Sequence, residues 1–251
     1  MKILAVSIIN RIGKRIEQRH FSKEPVYIGG CGRSGTTLLL SILSSHSEIF
    51  ACPRELNLFE NSYVEKGKLV TPKMYRLYRT FITHKIPPSA LRFCEKSPSN
   101  VRNIQRIDQL HHGKFKFIHI IRDGRDVVLS RHPRRTEGYW IEPERWISDV
   151  KAGLNYADDP RVHTVKYEDL VLSYKATISE ICRFLEIPLS DDILHWHKHA
   201  RVRQNRALFN EIGELSSGSI GKWKKKENEI RVSQFLASPE SASILKKLNY
   251  L

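Results

Sequence analysis

Short apolar runs alternate with amphipathic stretches along most of the chain. Phe115–Ile121 (FKFIHII) is the clearest apolar run and predicts a buried strand, and Pro25–Gly29 is a second run that ends in glycines. The leucine-rich stretch Ser34–Ser45 has the length of a helix. Other patterns predict strands over Glu48–Ala51, Arg92–Glu95 and Val162–Tyr167, and helices over Pro72–Lys85, Ser99–His112, Asp123–Arg131, Glu144–Ala157 and Tyr174–Leu185.

This alternation of strands and helices predicts an α/β fold with a mostly parallel central sheet and helices on both faces. From Pro188 onward the pattern is mainly helical and irregular, with basic and aromatic residues mixed. The sequence has no internal repeat and no linker-like composition break. We therefore expect a single domain over residues 1–251, in which residues 188–251 form a mainly helical C-terminal part.

Residues 1–22 predict a basic helix. Ile8, Ile9, Ile12 and Ile16 recur at helical spacing among several arginines and lysines. The apolar run is too short to cross a bilayer, which needs ~20 residues. Two interpretations stay open: a helix packed on the domain, and a helix that contacts a membrane surface through residues 1–20.

The net charge of +15, from 42 Lys+Arg against 27 Asp+Glu in 251 residues, favours an anionic ligand. It does not distinguish a nucleotide from a nucleic acid, a sulfated glycan or an acidic membrane. The four cysteines are far apart in sequence, so neither a zinc site nor a disulfide framework is indicated.

The stretch GGCGRSGTT (residues 29–37) is similar to a nucleotide-binding P-loop without its lysine. Gly30 and Gly35 have the P-loop spacing, but Thr36 stands at the lysine position and Arg33 lies inside the loop. Backbone N–H groups of such a loop, with the start of the next helix, can bind a phosphate. A ligand with one 5′-phosphate and one further anionic group fits this loop better than a triphosphate.

Two later stretches are also basic. In IIRDGRDVVLSRH (residues 120–132), Arg122 follows a strand, Asp123 can cap the next helix, and Ser130 lies about two turns on. In GSIGKWKKK (residues 218–226), glycines and lysines surround Trp223, which favours a flexible phosphate-binding loop. Each stretch by itself is also compatible with an ordinary charged surface, and the second with stacking on nucleic-acid bases.

Taken together, these motifs resemble the sulfotransferases that use 3′-phosphoadenosine-5′-phosphosulfate (PAPS). The resemblance rests on four stretches in the expected order: YIGGCGRSGTT (27–37), FIHIIRDGRDVVLS (117–130), KYEDL (166–170) and GSIGKWKK (218–225). The chain looks more like the Golgi-type carbohydrate and protein-tyrosine enzymes, and their bacterial relatives, than like the cytosolic ones. The resemblance implies the sulfotransferase fold related to P-loop nucleotide hydrolases, PAPS as donor, 3′-phosphoadenosine 5′-phosphate (PAP) as product, and no required metal.

The resemblance also implies a set of nucleotide-binding residues. Arg33 matches the cation that contacts the 5′-phosphosulfate, and Arg122 and Ser130 match residues that bind the 3′-phosphate. The segment Gly218–Lys224, which we call the late loop, is implied to close over the 3′-phosphate end of the nucleotide. The complete predicted set is Gly32, Arg33, Ser34, Gly35, Thr36, Thr37, Arg122, Ser130, Tyr167, Gly218, Ser219, Gly221, Lys222 and Lys224. For Tyr167, core packing is an equal alternative.

Glu55, Arg33 and Lys96 are the candidate catalytic residues. Glu55 in CPREL matches the glutamate base of the Golgi-type branch, and its alternative is an ion pair with Arg54 or another cation. Lys96 matches a lysine that neutralises the leaving phosphate, and its alternative is an ion pair with Glu95. His46 is a rival base, but its place at a helix end favours a structural role.

We expect a hydroxyl acceptor, with a carbohydrate first, a peptide tyrosine next, and a lipid or small metabolite third. Residues 57–85 and 195–209 are predicted to shape its site. We expect no nucleic-acid partner and a cytoplasmic location, and contact of residues 1–20 with a membrane surface stays the open alternative given above. The rival functions are a P-loop kinase and a non-catalytic polyanion-binding protein.

Overall fold

A five-stranded parallel sheet lies at the centre of the computed structural model, which describes residues 2–59, 64–65, 68–69, 73–132, 138–205, 210–211 and 215–251. Its strands are β1 (Val26–Gly29), β2 (Ile49–Ala51), β3 (Arg92–Lys96), β4 (Lys116–Ile121) and β5 (Val162–Lys166). They lie in the order β2-β3-β1-β4-β5, and every pair is parallel. The predicted α/β fold with a mostly parallel sheet is confirmed.

The helices follow the predicted alternation, with some differences in their bounds. They are α1 (Lys2–His20), α2 (Thr36–Leu43), α3 (Met74–Thr83), α4 (Ile104–His111), α5 (Gly124–Val127), α6 (Pro143–Leu154), α7 (Tyr167–Leu172), α8 (Tyr174–Leu185), α9 (Asp191–Leu194), α10 (Trp196–His199), α11 (Glu229–Leu236) and α12 (Pro239–Lys247). Four 3₁₀ segments lie at Pro98–Asn103, Ser217–Ser219, Lys222–Lys224 and Lys226–Asn228. Two-residue antiparallel pairs join Val64–Glu65 to Lys68–Leu69 and Gln204–Asn205 to Asn210–Glu211.

Both faces of the sheet are covered, as its apolar strands require. Val26 and Ile28 of β1 pack in the same cluster as Leu39 of α2. Tyr27, between them, points to the opposite face and packs with Phe117. This period-two alternation of buried side chains places one hydrophobic core on each side of the sheet.

The prediction of a helix over residues 123–131 is wrong in its length. Asp123 caps the helix as expected, since its Oδ1 accepts a hydrogen bond from the N–H of Arg125 (2.9 Å). The helix ends at Val127, because the chain then turns and pairs with a later segment. The Ser130 carbonyl accepts from the N–H of Trp140 (2.8 Å), and Arg131 forms an isolated bridge with Tyr139.

The C-terminal part packs against α6. Phe235 of α11 and Leu245 of α12 are fully buried in one cluster with Trp146, whose ring meets that of Phe235 edge-on at 5.3 Å. The described part of residues 188–251 is thus mainly helical. The assignment of one domain to the whole chain stays a prediction.

Helix α1 packs on α3 through a glycine. A Cβ added at Gly13 would lie 2.1 Å from the Cβ of Tyr78, and the Tyr78 hydroxyl donates to Glu17 Oε2 (3.1 Å). Ile9 and Ile16 face the core, whereas Ile8 and Ile12 are exposed. Among the described residues, none of the helices combines the length and apolarity that a membrane crossing requires. Contact of residues 1–20 with a membrane surface stays a prediction.

We predict that Gly13→Leu lowers the free energy of unfolding by about 1–3 kcal/mol, because the new side chain overlaps Tyr78. Urea unfolding measures this change. Ser7→Leu, on the exposed side of the same helix, is the matched control and should change stability by less than about 0.5 kcal/mol. Equal effects of the two substitutions would contradict the close packing of α1 on α3.

Candidate active site

The carboxyl ends of the parallel strands meet at one edge of the sheet, where the glycine loop joins β1 to α2. Gly30 lies so close to β4 that an added Cβ would be 2.2 Å from the carbonyl oxygen of Ile120. Gly35 has φ 93° and caps α2, and a Cβ there would be 2.5 Å from the ring of Tyr167. Larger residues at either position would push the loop away from the sheet edge.

Arg122 connects three segments of this edge. Its guanidinium donates to the carbonyl of Arg33 in the glycine loop (3.1 Å) and to the carbonyl of Ser219 in the late loop. It also lies over the ring of Tyr167, 4.6 Å from the centroid. The Tyr167 and Ser219 hydroxyls are hydrogen-bonded to each other (2.8 Å). Four residues predicted from separate motifs therefore share one cluster.

Arg33 has a left-handed backbone (φ 71°), and its guanidinium lies 5.1 Å from the centre of the Trp140 ring. Burial lowers the pKa of Arg33, and the neighbouring Arg122 lowers it further. The two guanidinium groups are thus coupled electrostatically in a partly buried site. Such an arrangement favours an anion, since an anion relieves the repulsion between them.

The late loop is held in place by an acidic residue. Asp126 of α5 is buried, and its carboxylate accepts from the N–H groups of Gly221 (2.7 Å) and Trp223 (3.1 Å). Trp223 stacks on the guanidinium of Arg125 at 3.6 Å. The segment therefore forms 3₁₀ turns fixed to α5, where a flexible loop was expected.

The other predicted nucleotide-binding residues lie in the glycine loop, in the late loop and after α5. Gly32, Arg33, Thr36 and Thr37 line one cavity, and Ser34 is fully buried beside them in the chain. Lys222 and Lys224 are exposed, and the Lys224 ammonium lies over Trp223. Gly218 is also exposed, in the Ser217–Ser219 turn. Ser130 lies beyond the end of α5, so the expectation of a helical hydroxyl there is wrong.

Lys96 connects Glu55, another predicted catalytic residue, to the glycine loop. Its ammonium donates to Glu55 Oε1 (2.5 Å) and to the Thr37 hydroxyl (2.9 Å). The Lys96 side chain is 3% exposed and that of Glu55 is 38% exposed. The alternative of a Lys96–Glu95 ion pair is wrong, because adjacent residues of β3 point to opposite faces of the sheet. The cation paired with Glu55 is Lys96, which lies in the same site.

His46 is occupied by structural contacts. Its Nδ1 accepts from the N–H of Glu48 (3.2 Å), and its Nε2 lies 3.0 Å from the carbonyl oxygen of Pro188. The side chain is buried, and burial lowers its pKa. These contacts favour the structural role over that of a base.

A cavity of about 330 Å³ opens beside this pair. Its lining includes Arg33, Thr37, Glu55, Trp140 and Arg145. Arg145 is held by Asp149, a fully buried carboxylate on α6 that also pairs with Arg102 (2.5 and 3.3 Å). The cavity thus offers a carboxylate, cationic groups and an aromatic wall next to the glycine loop.

Sequence reasoning missed several residues that organise the site. Asp126 is an acidic residue inside a basic motif, and that contrast was a usable signal. Trp140 and Asp149 had no comparable sequence signal, since an aromatic residue before a helix and an acidic residue within it are common. Residues 57–85 and 195–209 were predicted to shape the acceptor site, and Asn57 from the first of these segments lines the cavity. Residues 60–63, 66–67, 70–72 and 206–209 lie outside the described residues.

Among the residues that the structure describes, no group of three or more His, Cys, Asp or Glu side chains is arranged to hold a metal ion. All four cysteines are free and buried. The absence of a disulfide agrees with their spacing in the sequence. The expectation that the reaction needs no metal stays a prediction.

Comparison with known proteins identifies relatives of the chain. It is 27% identical over 195 residues to a putative protein-tyrosine sulfotransferase of Caenorhabditis briggsae, covering 69% of each chain. The chain spans 33% of an uncharacterized Aquifex aeolicus protein and 52% of the Caenorhabditis elegans protein-tyrosine sulfotransferase A. It is therefore shorter than the curated relatives that it matches.

Solved structures share the fold. A sulfotransferase domain from the curacin biosynthetic pathway superposes with a TM-score of 0.56 at 20% identity, over 86% of this chain and 98% of that domain. A mouse sulfotransferase complexed with PAP gives a TM-score of 0.53 at 13% identity, over 91% of this chain and 89% of that one. The profile of the sulfotransferase family matches residues 25–86 and 62–191, more than half of the sequence. The chain therefore belongs to the sulfotransferase family.

Proposed function

We propose that this chain is an enzyme that transfers the sulfuryl group of PAPS to a hydroxyl acceptor. The observation that carries the proposal is the position of Lys96, which bonds Glu55 at 2.5 Å and Thr37 of the glycine loop at 2.9 Å. The Lys96 ammonium group thus bridges the Glu55 carboxylate, the proposed proton acceptor, and the glycine loop, the proposed phosphate-binding site. Family membership and the shared fold support the same activity.

Orphaned polar groups at the glycine loop fit an anionic nucleotide. Among the described residues, the Nε atoms of Arg33 and Arg122 and the Ser34 hydroxyl are buried without a hydrogen-bond partner. Buried donors of this kind are costly unless a ligand satisfies them. We infer that Arg33 and the glycine loop hold the 5′ end of PAPS, and that Arg122, Tyr167 and Ser219 hold its 3′-phosphate end. A mouse sulfotransferase of the same fold is complexed with PAP, which supports PAPS as the donor.

PAPS supplies a sulfuryl group bound to its 5′-phosphate, and transfer to an acceptor oxygen leaves PAP. Glu55 Oε1 is paired with Lys96, so the second carboxylate oxygen is the one that takes the acceptor proton. The Lys96 ammonium has a third N–H, which is suited to the negative charge that develops on the departing phosphate. Arg33 adds a second cation at the loop. Positioning and charge stabilisation then supply most of the rate enhancement.

For the acceptor, we propose the phenolic hydroxyl of a peptide tyrosine. The aromatic wall at Trp140 suits a phenol ring, and Arg145 at the cavity suits acidic neighbours of the tyrosine. The relatives named as protein-tyrosine sulfotransferases favour the same acceptor. The preference for a carbohydrate finds no support among them, so tyrosine replaces it as the leading proposal.

The nucleotide assignment predicts selective binding. In calorimetry, the protein should bind PAP more tightly than ATP with Mg²⁺, because the loop lacks the P-loop lysine. Arg122→Ala should weaken PAP binding by about 10–100-fold, the value of a charged hydrogen bond. Arg79→Ala, on the exposed side of α3, is the control. Tight binding of ATP with Mg²⁺ and none of PAP would instead indicate a P-loop kinase.

The proton-transfer role predicts a separable loss of turnover. Glu55→Gln should reduce sulfate transfer by about 10²–10⁴-fold while PAP affinity stays unchanged, because a general base contributes in this range. Glu240→Gln, in a surface ion pair on α12, is the matched control. Normal turnover of the Glu55 variant would remove Glu55 from the mechanism. A non-catalytic polyanion-binding protein would show no transfer with any variant.

The acceptor proposal predicts transfer of labelled sulfate to a tyrosine peptide with flanking aspartates. The same peptide with phenylalanine should accept none, and Arg145→Ala should raise KM for the tyrosine peptide more than it lowers kcat. Transfer to hydroxylated oligosaccharides, with none to the peptide, would overturn the tyrosine proposal and favour a carbohydrate.

A further inference from the structure

Glu95 is a fully buried carboxylate on the strand that carries Lys96. Lys96 points towards the glycine loop, and Glu95 points to the other face of the sheet. There it accepts three hydrogen bonds: from the Ser97 hydroxyl (2.6 Å), the Asn100 amide (2.7 Å) and the N–H of Leu56 (3.1 Å). All three partners are donors, so the site matches the ionised form of the carboxyl group.

The hydrogen bonds around Glu95 extend to the backbone of Asn57, two residues after Glu55. The Ser97 hydroxyl donates to Glu95 and accepts from the N–H of Asn57 (2.9 Å). Asn57 has φ 48°, in the left-handed region that residues other than glycine seldom adopt. Its conformation therefore depends on partners outside the segment.

Arg76 of α3 holds the segment from its carbonyl side. Its guanidinium donates to the carbonyl oxygens of Leu56 (2.8 Å) and Asn57 (3.3 Å). Every backbone polar group of these two residues is thus bonded to a side chain. The residue just before them is Glu55, whose carboxylate lies 2.5 Å from Lys96.

An ionised carboxylate inside a sheet face is costly, and burial raises the pKa of Glu95. The three donors offset part of that cost, since each hydrogen bond favours the ionised form. The residue of β1 in register with Glu95 is Tyr27, a fully buried aromatic side chain that carries no charge. A core-packing role alone does not require a charge at position 95.

We propose that Glu95, acting with Ser97, is a positioning residue that fixes the 55–57 segment and so sets the Glu55 carboxylate against Lys96. The catalytic consequence rests on the proposed role of Glu55 as base. The structural part does not, because it concerns only the backbone of Leu56 and Asn57.

Two variants test the proposal, Glu95→Gln and Ser97→Ala. The glutamine keeps one acceptor oxygen but faces the Asn100 amide with a second donor, and the alanine removes the acceptor for Asn57. Amide hydrogen exchange followed by NMR should be about 3–10-fold faster at Leu56 and Asn57 in both variants. Ser45→Ala is the matched control, since that buried hydroxyl donates to the carbonyl of Ile42 in α2, away from residues 55–57.

Turnover and binding should separate in the same variants. We expect kcat for the tyrosine peptide to fall about 10–100-fold, because a displacement of about 1 Å misaligns a reacting group. The affinity for PAP should stay within about twofold of the parent protein. Ser97→Ala retains the charge of Glu95, so it remains informative if Glu95→Gln does not fold.

Unchanged exchange at Leu56 and Asn57 would overturn the proposal. Faster exchange with a kcat equal to that of Ser45→Ala would also overturn it, since the segment would then move without consequence. If Glu55→Gln itself has full activity, the base assignment fails instead, and the exchange rates alone decide whether Glu95 holds the segment.

Discussion

The guanidinium of Arg122 makes the contacts on which the proposed nucleotide-binding end of the site depends. It emerges from β4 at the edge of the sheet and bonds carbonyl groups of the glycine loop and of the late loop, which are 89 and 97 residues distant in sequence. Its face lies on the Tyr167 ring. Its Nε is buried without a hydrogen-bond partner among the described residues, so the group that assembles the site also keeps a donor for the proposed anion.

Buried carboxylates hold the loops that present the cations. Glu95 bonds the backbone after Glu55, Asp126 bonds the backbone of the late loop, and Asp149 holds Arg145 at the cavity. The chain has a net charge of +15, yet these acids are what orient its functional surface. A carboxylate suits this task because it can accept several N–H bonds at once. The net positive charge therefore favours an anionic ligand, whereas the few buried acids orient the loops of the site.

The strands were predicted well because their signal is local. Each is a short apolar run, and the alternation with helices leaves few sheet arrangements. The segment after β4 was predicted less well. Its helix stops at Val127 because Ser130 and Arg131 pair with Trp140 and Tyr139, a tertiary contact that no local pattern contains. The late loop is similar: its glycines favoured flexibility, and Asp126 fixes it.

The sequence by itself determined the α/β class, the family resemblance, the glycine loop similar to a P-loop and the candidates Glu55, Lys96 and Arg122. These follow from residue types at fixed spacing, which the chain carries locally. Only the tertiary structure decided that Lys96 pairs with Glu55 and not with its neighbour Glu95, and that Glu95 bonds the backbone of Leu56, which follows Glu55. Adjacent strand residues face opposite sides of a sheet, so what each one meets depends on which segments the fold brings to each side.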